Sequence, residues 1–260
     1  LLERMDYICI QGDLNQEISD LVYDSRKITK NSLFVCIKGT VADGHTFAAD
    51  AVKLGASVLV VSEPVDAPDA VTVIKTKDTR YALALLSAAH FDYPAKQLKV
   101  IGITGTKGKT TTAYMVKSIL EGAGYKTGLI GTIETIIGEE TIPSANTTPE
   151  SYLIQSYFRK MADCSCECCV MEVSSQGLMM HRTAGFLFEI GIFTNIEPDH
   201  IGPNEHASFE EYLECKSRLF RQCRIGILNA DDAHFRDLLK RHTCEVETFG
   251  FSEHADLRAE

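Results

Sequence analysis

A loop of small residues between an apolar strand and a helix has the clearest potential for chemistry in this sequence. The strand is predicted over residues 100–103, the loop over 104–112 and the helix over 113–120. Glycine lets backbone N–H groups turn towards an anion, and the first turn of a helix adds unpaired donors and the positive end of its dipole. The sequence therefore predicts a phosphate-binding loop, in which Lys109 reaches the outer phosphates and the Thr110 hydroxyl binds Mg²⁺.

The loop departs from the common phosphate-loop pattern G-x-x-x-x-G-K-[ST] at its first glycine. Ile103 stands where that glycine would be, and Gly105 lies only three residues before Gly108. The strand, the small-residue loop and the helix are all present, so we interpret the segment as a variant phosphate loop rather than as an ordinary turn.

Polar side chains follow several of the predicted strands, at the point where each strand ends. Thr104, Glu172, Asn195 and Asn229 occupy such positions. In an open parallel sheet the ligand lies at the carboxyl ends of the strands, so these side chains should share one site. Mg²⁺ prefers hard oxygen ligands and takes only one or two of them from the protein, which suits Thr110 and Glu172.

Two further side chains have a functional and an ordinary interpretation. His200, in the polar loop over 195–200, could bind a second metal ion or touch the γ-phosphate, but a lone loop histidine is commonly just polar. Lys216 lies on an amphipathic helix, where its residue type alone predicts a solvated side chain.

The elements that position these residues form two α/β domains, predicted over residues 1–97 and 98–260. The first domain alternates strands and helices, which predicts a mostly parallel sheet. Its elements are strands over 33–37, 58–61 and 71–74, and helices over 46–54, capped by Gly55, and over 79–90.

The second domain has the pattern of a doubly wound, mostly parallel sheet of the kind that binds nucleotides. Beyond the loop and its helix, the predicted strands and helices follow in chain order. They are strands over 127–131, 169–173, 190–195 and 225–229, a hairpin over 135–142, helices over 150–162 and 209–222, and a last helix opening at 229–232.

Composition excludes several classes of protein. A net charge of −10 argues against a general nucleic-acid binder, whose footprint would be basic. No apolar run approaches the roughly 20 residues of a membrane span, and residues 1–6 lack the pattern of a signal peptide. Nine cysteines, an odd number without framework spacing, fit a reducing compartment, so we expect a cytoplasmic protein.

Four of these cysteines are clustered as C-x-C-x-C-C at Cys164, Cys166, Cys168 and Cys169. Structural zinc sites favour C-x₂₋₄-C pairs that are well separated in sequence. We therefore interpret the cluster as a reduced loop that leads into a strand.

Taken together, these motifs resemble the Mur ligases, ATP-dependent enzymes that form amide bonds in peptidoglycan synthesis. Four segments match the family in the same order: the phosphate loop over 104–111, Glu172-Val173-Ser174-Ser175, Asn195-x-x-x-Asp199-His200 and Asn229-Ala230-Asp231-Asp232.

The first domain is similar to the uridine-binding domain of the family branch that adds the third residue of the peptide. The similarity lies in Asp24-Ser25-Arg26, Leu33-Phe34-Val35 and Gly39-x-x-x-Asp43-Gly44-His45-x-Phe47. Asn146-Thr147-Thr148-Pro149 resembles the substrate loop of the same branch.

This resemblance implies a role for each matching residue. ATP would contact Gly105, Thr106, Lys107, Gly108, Lys109, Thr110, Thr111 and Asn229. UDP-N-acetylmuramoyl-L-alanyl-D-glutamate, a UDP-N-acetylmuramoyl-dipeptide, would contact Ser25 at its UDP end and Asn146, Thr147, Thr148, Ser174 and Arg182 elsewhere. Mg²⁺ ions would be held by Thr110, Glu172, His200 and a carbamylated Lys216, and the catalytic set would be Lys109, His200 and Lys216.

The implied reaction activates a carboxylate by phosphoryl transfer. The carboxylate of the D-glutamate attacks the γ-phosphate, and the amino group of L-lysine or meso-diaminopimelate then displaces phosphate from the acyl-phosphate. Lys107 and Gln176 stand where relatives commonly have Asn and His, which slightly favours L-lysine as the amine. Met180 and residues 201–206 also depart from the family pattern, and the amino-acid-binding third domain of the family is absent from the sequence.

Two other functions stay open at this point. A sister ligase, such as folylpolyglutamate or cyanophycin synthetase, would share the phosphate loop but not the uridine-type first domain. A non-catalytic nucleotide-binding module would keep the loop but have no need for Glu172, His200 and Lys216.

Overall fold

The computed structural model describes residues 1–39, 42–199, 201–202 and 205–260. The chain divides into two compact units, Leu1–Asp92 and Tyr93–Glu260. This division lies within a few residues of the domain boundary proposed from the sequence.

Unit 1 is built on a five-stranded sheet. Its strands and α-helices are β1 (Ile8–Gln11), β2 (Leu21–Val22), β3 (Ser32–Val35), α1 (Ala48–Leu54), β4 (Ala56–Val61), β5 (Thr72–Lys75) and α2 (Thr79–His90). The strand order is β1-β5-β4-β3-β2, and only β1 runs antiparallel to its neighbour.

The central strands and both helices of unit 1 confirm the predictions. Every residue of β3 is buried, as expected for a parallel strand covered on both faces. Asp78 caps α2 by accepting from the N–H groups of Arg80 and Tyr81, and α1 ends at Gly55. The edge strands β1 and β2 were not predicted, because β1 is largely exposed and β2 has only two residues.

Unit 2 is built on a nine-stranded sheet in the order β14-β13-β12-β11-β6-β10-β7-β8-β9. Its strands are β6 (Lys99–Thr104), β7 (Thr127–Ile130), β8 (Glu134–Ile137), β9 (Glu140–Pro143), β10 (Cys168–Glu172), β11 (Phe188–Phe193), β12 (Cys223–Asn229), β13 (Glu245–Gly250) and β14 (Leu257–Arg258). Its α-helices are α3 (Lys109–Gly122), α4 (Ser151–Asp163), α5 (Ser175–Met179), α6 (Phe209–Ser217) and α7 (Phe235–Leu238).

The sheet of unit 2 is covered on both faces. Successive residues of a strand point to opposite sides, and in β6 Ile101 and Ile103 pack with Ala113 of α3 whereas Val100 packs with the core on the other face. That second core includes Phe158 of α4. The doubly wound, mostly parallel sheet predicted from the sequence is therefore confirmed, with β8 and β9 as its antiparallel hairpin edge.

Four elements of unit 2 differ from the prediction. The helix predicted over 209–222 ends as α-helix at Ser217 and continues as a 3-10 turn, Arg218–Arg221, which buries the adjacent Leu219 and Phe220. The helix expected to open at 229–232 is the single turn α7. Strands β13 and β14 were not predicted, because they are largely polar and partly exposed. In the part of the chain that the structure describes, no helix is long and apolar enough to cross a membrane.

A row of three glycines crosses the centre of the sheet. Gly102 of β6 is level with Gly191 of β11, which is level with Gly226 of β12. A Cβ atom at Gly102 would lie 2.7 Å from the Phe188 ring and 3.1 Å from Leu219. The missing side chains thus leave the room in which those two apolar side chains pack.

Gly102→Ala is therefore expected to lower the free energy of unfolding by about 1–3 kcal/mol, the usual cost of overpacking a filled core. Urea denaturation of the purified chain measures this change. Gly122→Ala at the end of α3 is the matched control: its Cβ meets nothing within 4 Å, so the same substitution should be neutral or slightly stabilising. Equal stability of the two variants would contradict the packing role of Gly102.

Candidate functional site

The phosphate loop joins β6 to α3 with two glycines in left-handed conformations. Gly105 has φ +155°, and a Cβ atom there would lie 1.9 Å from Thr194 Oγ1, so no other residue fits. Gly108 has φ +82° and open space where a side chain would be. The first intrahelical bond runs from Thr112 N–H to Gly108 O (2.9 Å). The N–H groups of the preceding three residues are thus available at the positive end of the helix.

Lys109 folds back onto the carbonyl groups of its own loop. Its Nζ donates to Gly105 O (2.9 Å) and Thr106 O (3.0 Å). Burial lowers the pKa of Lys109, and the negative charges of Glu172 and Asp199 oppose that shift. The cation thus lies on the loop that the sequence assigned to phosphate.

Lys216 is buried against the same loop, so the solvated side chain expected from its residue type is wrong. It is 1% exposed, its Nζ donates to Gly105 O (2.8 Å), and it lies 4.6 Å from the centre of the Tyr212 ring. Burial, and then repulsion from Lys109, lowers the pKa of Lys216 well below its ordinary value. Helical periodicity could not show this, because α6 packs against the phosphate loop with its polar side as well.

Glu172, the last residue of β10, is a buried carboxylate surrounded by neutral donors. It is 1% exposed. Thr110 Oγ1 donates to its Oε2 (2.9 Å), Thr132 Oγ1 donates to the same oxygen (3.0 Å), and Thr132 N–H donates to Oε1 (2.8 Å). Among the described residues it forms no ion pair, so its charge is only partly compensated. A buried carboxylate beside a hydroxyl is a donor set of hard oxygens that suits Mg²⁺.

The segment after β11 fixes the shape of the loop. The Asn195 side chain accepts from Lys107 N–H (3.0 Å) and donates to Lys107 O (3.1 Å), while its carbonyl accepts from Thr106 N–H (2.9 Å). The buried hydroxyl of Tyr212 bonds Thr106 Oγ1 at 3.0 Å. Asn195 therefore serves the predicted site as a clamp on the loop rather than as a group facing a ligand.

Asn229 also bonds backbone groups. Its amide donates to Thr194 O (2.9 Å) and accepts from Asp231 N–H (3.0 Å), so it braces two strand ends. Contact with ATP, which the sequence predicted for Asn229, stays a prediction.

A cavity of about 240 Å³ lies beside the loop in unit 2. It is lined by Lys109, Asn146, Thr147, Thr148, Ser174, Ser175, Gln176, Arg182 and Glu205. The structure thus brings the predicted substrate-loop residues together with Ser174 and Arg182, next to the phosphate loop.

Hydrogen bonds between side chains and backbone groups hold the substrate loop in place. Arg182 donates to Thr148 O (2.9 Å) and lies 3.7 Å from the carboxylate of Glu150. Thr148, fully buried, donates to Glu172 O (2.9 Å) and accepts from Ser174 N–H (2.9 Å). The loop is therefore fastened directly to the strand that ends at Glu172.

The sequence also predicted site roles for Ser25 and His200. Ser25 belongs to unit 1, where it opens a 3-10 turn, Ser25–Lys27, capped by Asp24. In the same unit, His45 is turned inwards: its ring contacts Asp43 (2.6 Å) and accepts from Ser62 N–H (3.0 Å). His200 lies outside the residues that the structure describes, so its predicted catalytic and metal-binding roles stay predictions.

The cysteine cluster is partly buried. Cys168 and Cys169 lie in β10, where burial raises the pKa of both thiols, and Cys164 Sγ lies 3.7 Å from Cys166 Sγ. In the described ranges, no three or more His, Cys, Asp or Glu side chains are grouped as a metal site. The pair formed by Glu172 and Thr110 differs from such a group, because it combines one carboxylate with one hydroxyl.

Thr132 and Tyr212 are the site residues that the sequence reasoning missed. Thr132 comes two residues after β7 ends at Ile130, so the strand-end rule could have found it. Tyr212 precedes Lys216 by one helical turn, so this spacing could have identified it as a neighbour of the lysine.

Comparisons with known proteins agree with this geometry. The family model described as the Mur ligase middle domain matches residues 103–260, and the one described as the Mur ligase family catalytic domain matches residues 17–91.

Two clostridial proteins and one solved structure are similar over nearly the whole chain. A UDP-N-acetylmuramoyl-L-alanyl-D-glutamate--2,6-diaminopimelate ligase of Clostridium perfringens is 44% identical over 264 residues, covering 100% of this chain and 54% of the relative. The ligase 1 of that name from Clostridium acetobutylicum is 47% identical, with coverage of 100% and 54%. A solved structure of such a ligase has a TM-score of 0.81 at 23% identity, covering 93% of this chain and 50% of the other.

The chain therefore spans about half the length of the curated relatives it matches. The names of those relatives specify 2,6-diaminopimelate, so they do not support the preference for L-lysine drawn from Lys107 and Gln176.

Lys216→Met is expected to raise the free energy of unfolding near neutral pH by about 1 kcal/mol, because it removes an amine whose charged form is disfavoured by burial. The pKa of Lys216 in the folded chain lies below its ordinary 10.5. At pH values between the lowered pKa of the folded chain and the ordinary pKa of the unfolded chain, the unfolded chain binds a proton that the folded chain does not. The free energy of unfolding of the wild type therefore rises with pH in that range. The variant should lack this rise.

Urea denaturation at about pH 7 and about pH 9, in CO₂-free buffer, measures the difference in slope. Lys160→Met, a half-exposed lysine of α4, is the control and should keep the wild-type slope. An unchanged slope in Lys216→Met would show that the amine stays charged in the folded chain.

Proposed function

Since this chain belongs to the Mur ligase family, we propose that it provides the ATP-binding and UDP-sugar-binding parts of a cytoplasmic ligase of peptidoglycan synthesis. The proposed reaction joins meso-diaminopimelate to UDP-N-acetylmuramoyl-L-alanyl-D-glutamate with consumption of ATP. The observation that supports it most strongly is the buried carboxylate of Glu172, held by the Thr110 hydroxyl at the start of the phosphate loop.

The phosphates of ATP would bind to the N–H groups at the start of α3 and to Lys109. Lys109 Nζ donates hydrogen bonds to two carbonyl groups of the loop. Binding a phosphate exchanges these neutral acceptors for a charged one, and charge-assisted hydrogen bonds are the stronger kind. Lys109 then lies where it can stabilise negative charge that develops during phosphoryl transfer.

Glu172 and Thr110 would hold Mg²⁺, and the fit rests on three features of the donor set. The carboxylate is buried, its partners are neutral, and the hydroxyl already lies 2.9 Å from it. Mg²⁺ bound there would neutralise charge between the phosphates and the attacking carboxylate. We assign His200 to the same task on the strength of the family resemblance.

The cavity beside the loop would take the peptide end of the UDP-sugar. Arg182 and Lys109 supply positive charge, and Asn146, Thr147 and Ser174 supply neutral hydrogen-bonding groups. An anionic ligand rich in carbonyl and carboxylate oxygens matches this lining. In unit 1, we assign Ser25 to the UDP end.

Lys216 suits carbamylation, which would turn its amine into an anionic oxygen ligand. Only the neutral amine reacts with CO₂, and burial favours the neutral form of Lys216. A carbamate there would lie beside Lys109, because both Nζ atoms bond Gly105 O. The product places a negative charge next to the amine of Lys109.

With ¹³C-labelled bicarbonate, the chain is expected to show a carbamate resonance in its ¹³C spectrum. Lys216→Met should lack this resonance, and Lys160→Met should keep it. A spectrum without the resonance, or one identical for wild type and Lys216→Met, would contradict the assignment.

The function itself is tested by ligand binding. UDP-N-acetylmuramoyl-L-alanyl-D-glutamate is expected to raise the melting temperature of the chain, and a non-hydrolysable ATP analogue with Mg²⁺ should bind by calorimetry. Glu172→Gln should lower the affinity for the ATP analogue in Mg²⁺ by about tenfold, because the variant lacks the charged ligand of the metal. The affinity of the variant for the analogue in EDTA should equal that of the wild type. Glu121→Gln on the exposed side of α3 is the matched control.

Dihydropteroate distinguishes the sister-ligase function, since it would stabilise the chain in place of the UDP-sugar. A folded chain that binds the nucleotide but neither carboxylate ligand would favour a non-catalytic module. Ligation by the protein that contains this chain, with meso-diaminopimelate and with L-lysine, decides the amine.

A further inference from the structure

Thr132 connects the candidate metal site to the substrate loop. It follows β7, and its hydroxyl oxygen lies 3.0 Å from Glu172 Oε2 and 3.0 Å from Thr147 Oγ1. Its N–H donates to the other carboxylate oxygen of Glu172 at 2.8 Å. One short side chain therefore touches both the carboxylate and a hydroxyl that lines the cavity.

The turn that carries Thr132 is held on both sides. Gly131 N–H donates to Glu134 O (3.1 Å), and Ser144 N–H donates to Ile133 O (3.2 Å). The side chain of Glu134 accepts from the Tyr114 hydroxyl of α3 at 2.7 Å. These bonds keep the turn next to the helix that begins the phosphate loop, so the Thr132 hydroxyl has a fixed place.

The Thr132 hydroxyl has one proton and two acceptors within reach. A carboxylate is the stronger acceptor, because a hydrogen bond to a charged group is worth roughly twice one to a neutral group. In the absence of a cation, the Thr132 hydroxyl therefore donates its hydrogen bond to the carboxylate of Glu172. A cation bound to Glu172 competes for the same oxygen lone pairs and reduces their demand for the proton.

We propose that Thr132 is a positioning residue that transmits the presence of the cation at Glu172 to Thr147 by redirecting this proton. With the cation bound, Thr132 donates to Thr147, and Thr147 directs its own proton into the cavity, towards an oxygen of the peptide-bearing ligand. A hydroxyl that accepts a hydrogen bond also donates a stronger one. The inference rests on the proposed function, since it takes Mg²⁺ and the UDP-sugar peptide as the two ligands.

The neighbouring Thr148 shows why Thr132 has this role. Thr148 bonds the backbone carbonyl of Glu172 and the N–H of Ser174, and it is fully buried. Neither bond involves the carboxylate, so a cation at Glu172 leaves both unchanged. In the described part of the site, Thr132 is the side chain whose bonds include both the carboxylate and the substrate loop.

The test compares the affinity for UDP-N-acetylmuramoyl-L-alanyl-D-glutamate in the presence of a non-hydrolysable ATP analogue, with Mg²⁺ and with EDTA. The dissociation constant in EDTA divided by the dissociation constant in Mg²⁺ isolates the contribution of the metal. Thr132→Val removes the hydroxyl and keeps the shape of an exposed side chain. This ratio should fall by about threefold to tenfold in the variant, the worth of one hydrogen bond.

Three further variants sharpen the result. Thr132→Ser keeps the hydroxyl and should restore the ratio. Thr147→Val removes the other end of the connection, so it should lower the ratio by itself and add nothing to Thr132→Val. Thr141→Val, on the exposed strand β9, is the matched control and should keep the wild-type ratio.

The inference is overturned if Thr132→Val keeps the wild-type ratio. It is likewise overturned if wild type binds the nucleotide and the UDP-sugar but has the same dissociation constant for the UDP-sugar in Mg²⁺ and in EDTA. It is also overturned if Thr147→Val and Thr132→Val lower the ratio independently. Absence of UDP-sugar binding in wild type would instead refute the proposed function. Reduced affinity without a change in the ratio would assign Thr132 a purely structural role.

Discussion

The backbone carbonyl of Gly105 is the point on which the site depends. It accepts hydrogen bonds from both Lys109 and Lys216, which come from two different helices. The carbonyl can point to both because Gly105 has φ +155° and its missing side chain leaves room for Thr194. A side chain at this position would move the loop away from β11 and separate the two amines.

The electrostatics of the site follow from this convergence. The buried amine of Lys216 and the partly buried amine of Lys109 share one carbonyl group, and burial lowers the pKa of each. Glu172 and Asp199 supply negative charge near Lys109, and the hydrogen bonds to Glu172 come from neutral groups. Within the described residues, the carboxylate of Glu172 is therefore only partly compensated, which is the condition under which a buried carboxylate attracts a cation.

The sequence predicted where the site would be better than what each residue does there. Thr104, Glu172 and Asn229 end their strands as expected, because parallel strands in register place their last residues at one edge. Asn195 and Asn229 proved to hold backbone groups, since a side-chain amide bonds a peptide as readily as a ligand. Lys216 was misjudged because periodicity describes one helix and not the loop packed against it. Strand β13 was missed because its alternating glutamates resemble a solvated segment.

The position of Lys109 has a consequence for selectivity among anions. The Lys109 amine donates hydrogen bonds to Gly105 O and Thr106 O of its own loop. An anion that binds Lys109 replaces these two hydrogen bonds with its own. The net free energy that it gains from the lysine is the difference between the new bonds and the replaced ones. A small monoanion offers little beyond what the carbonyl groups already provide, whereas a polyphosphate also reaches the helix N-terminus. These bonds of Lys109 therefore favour anions that reach both the lysine and the start of α3 over small monoanions.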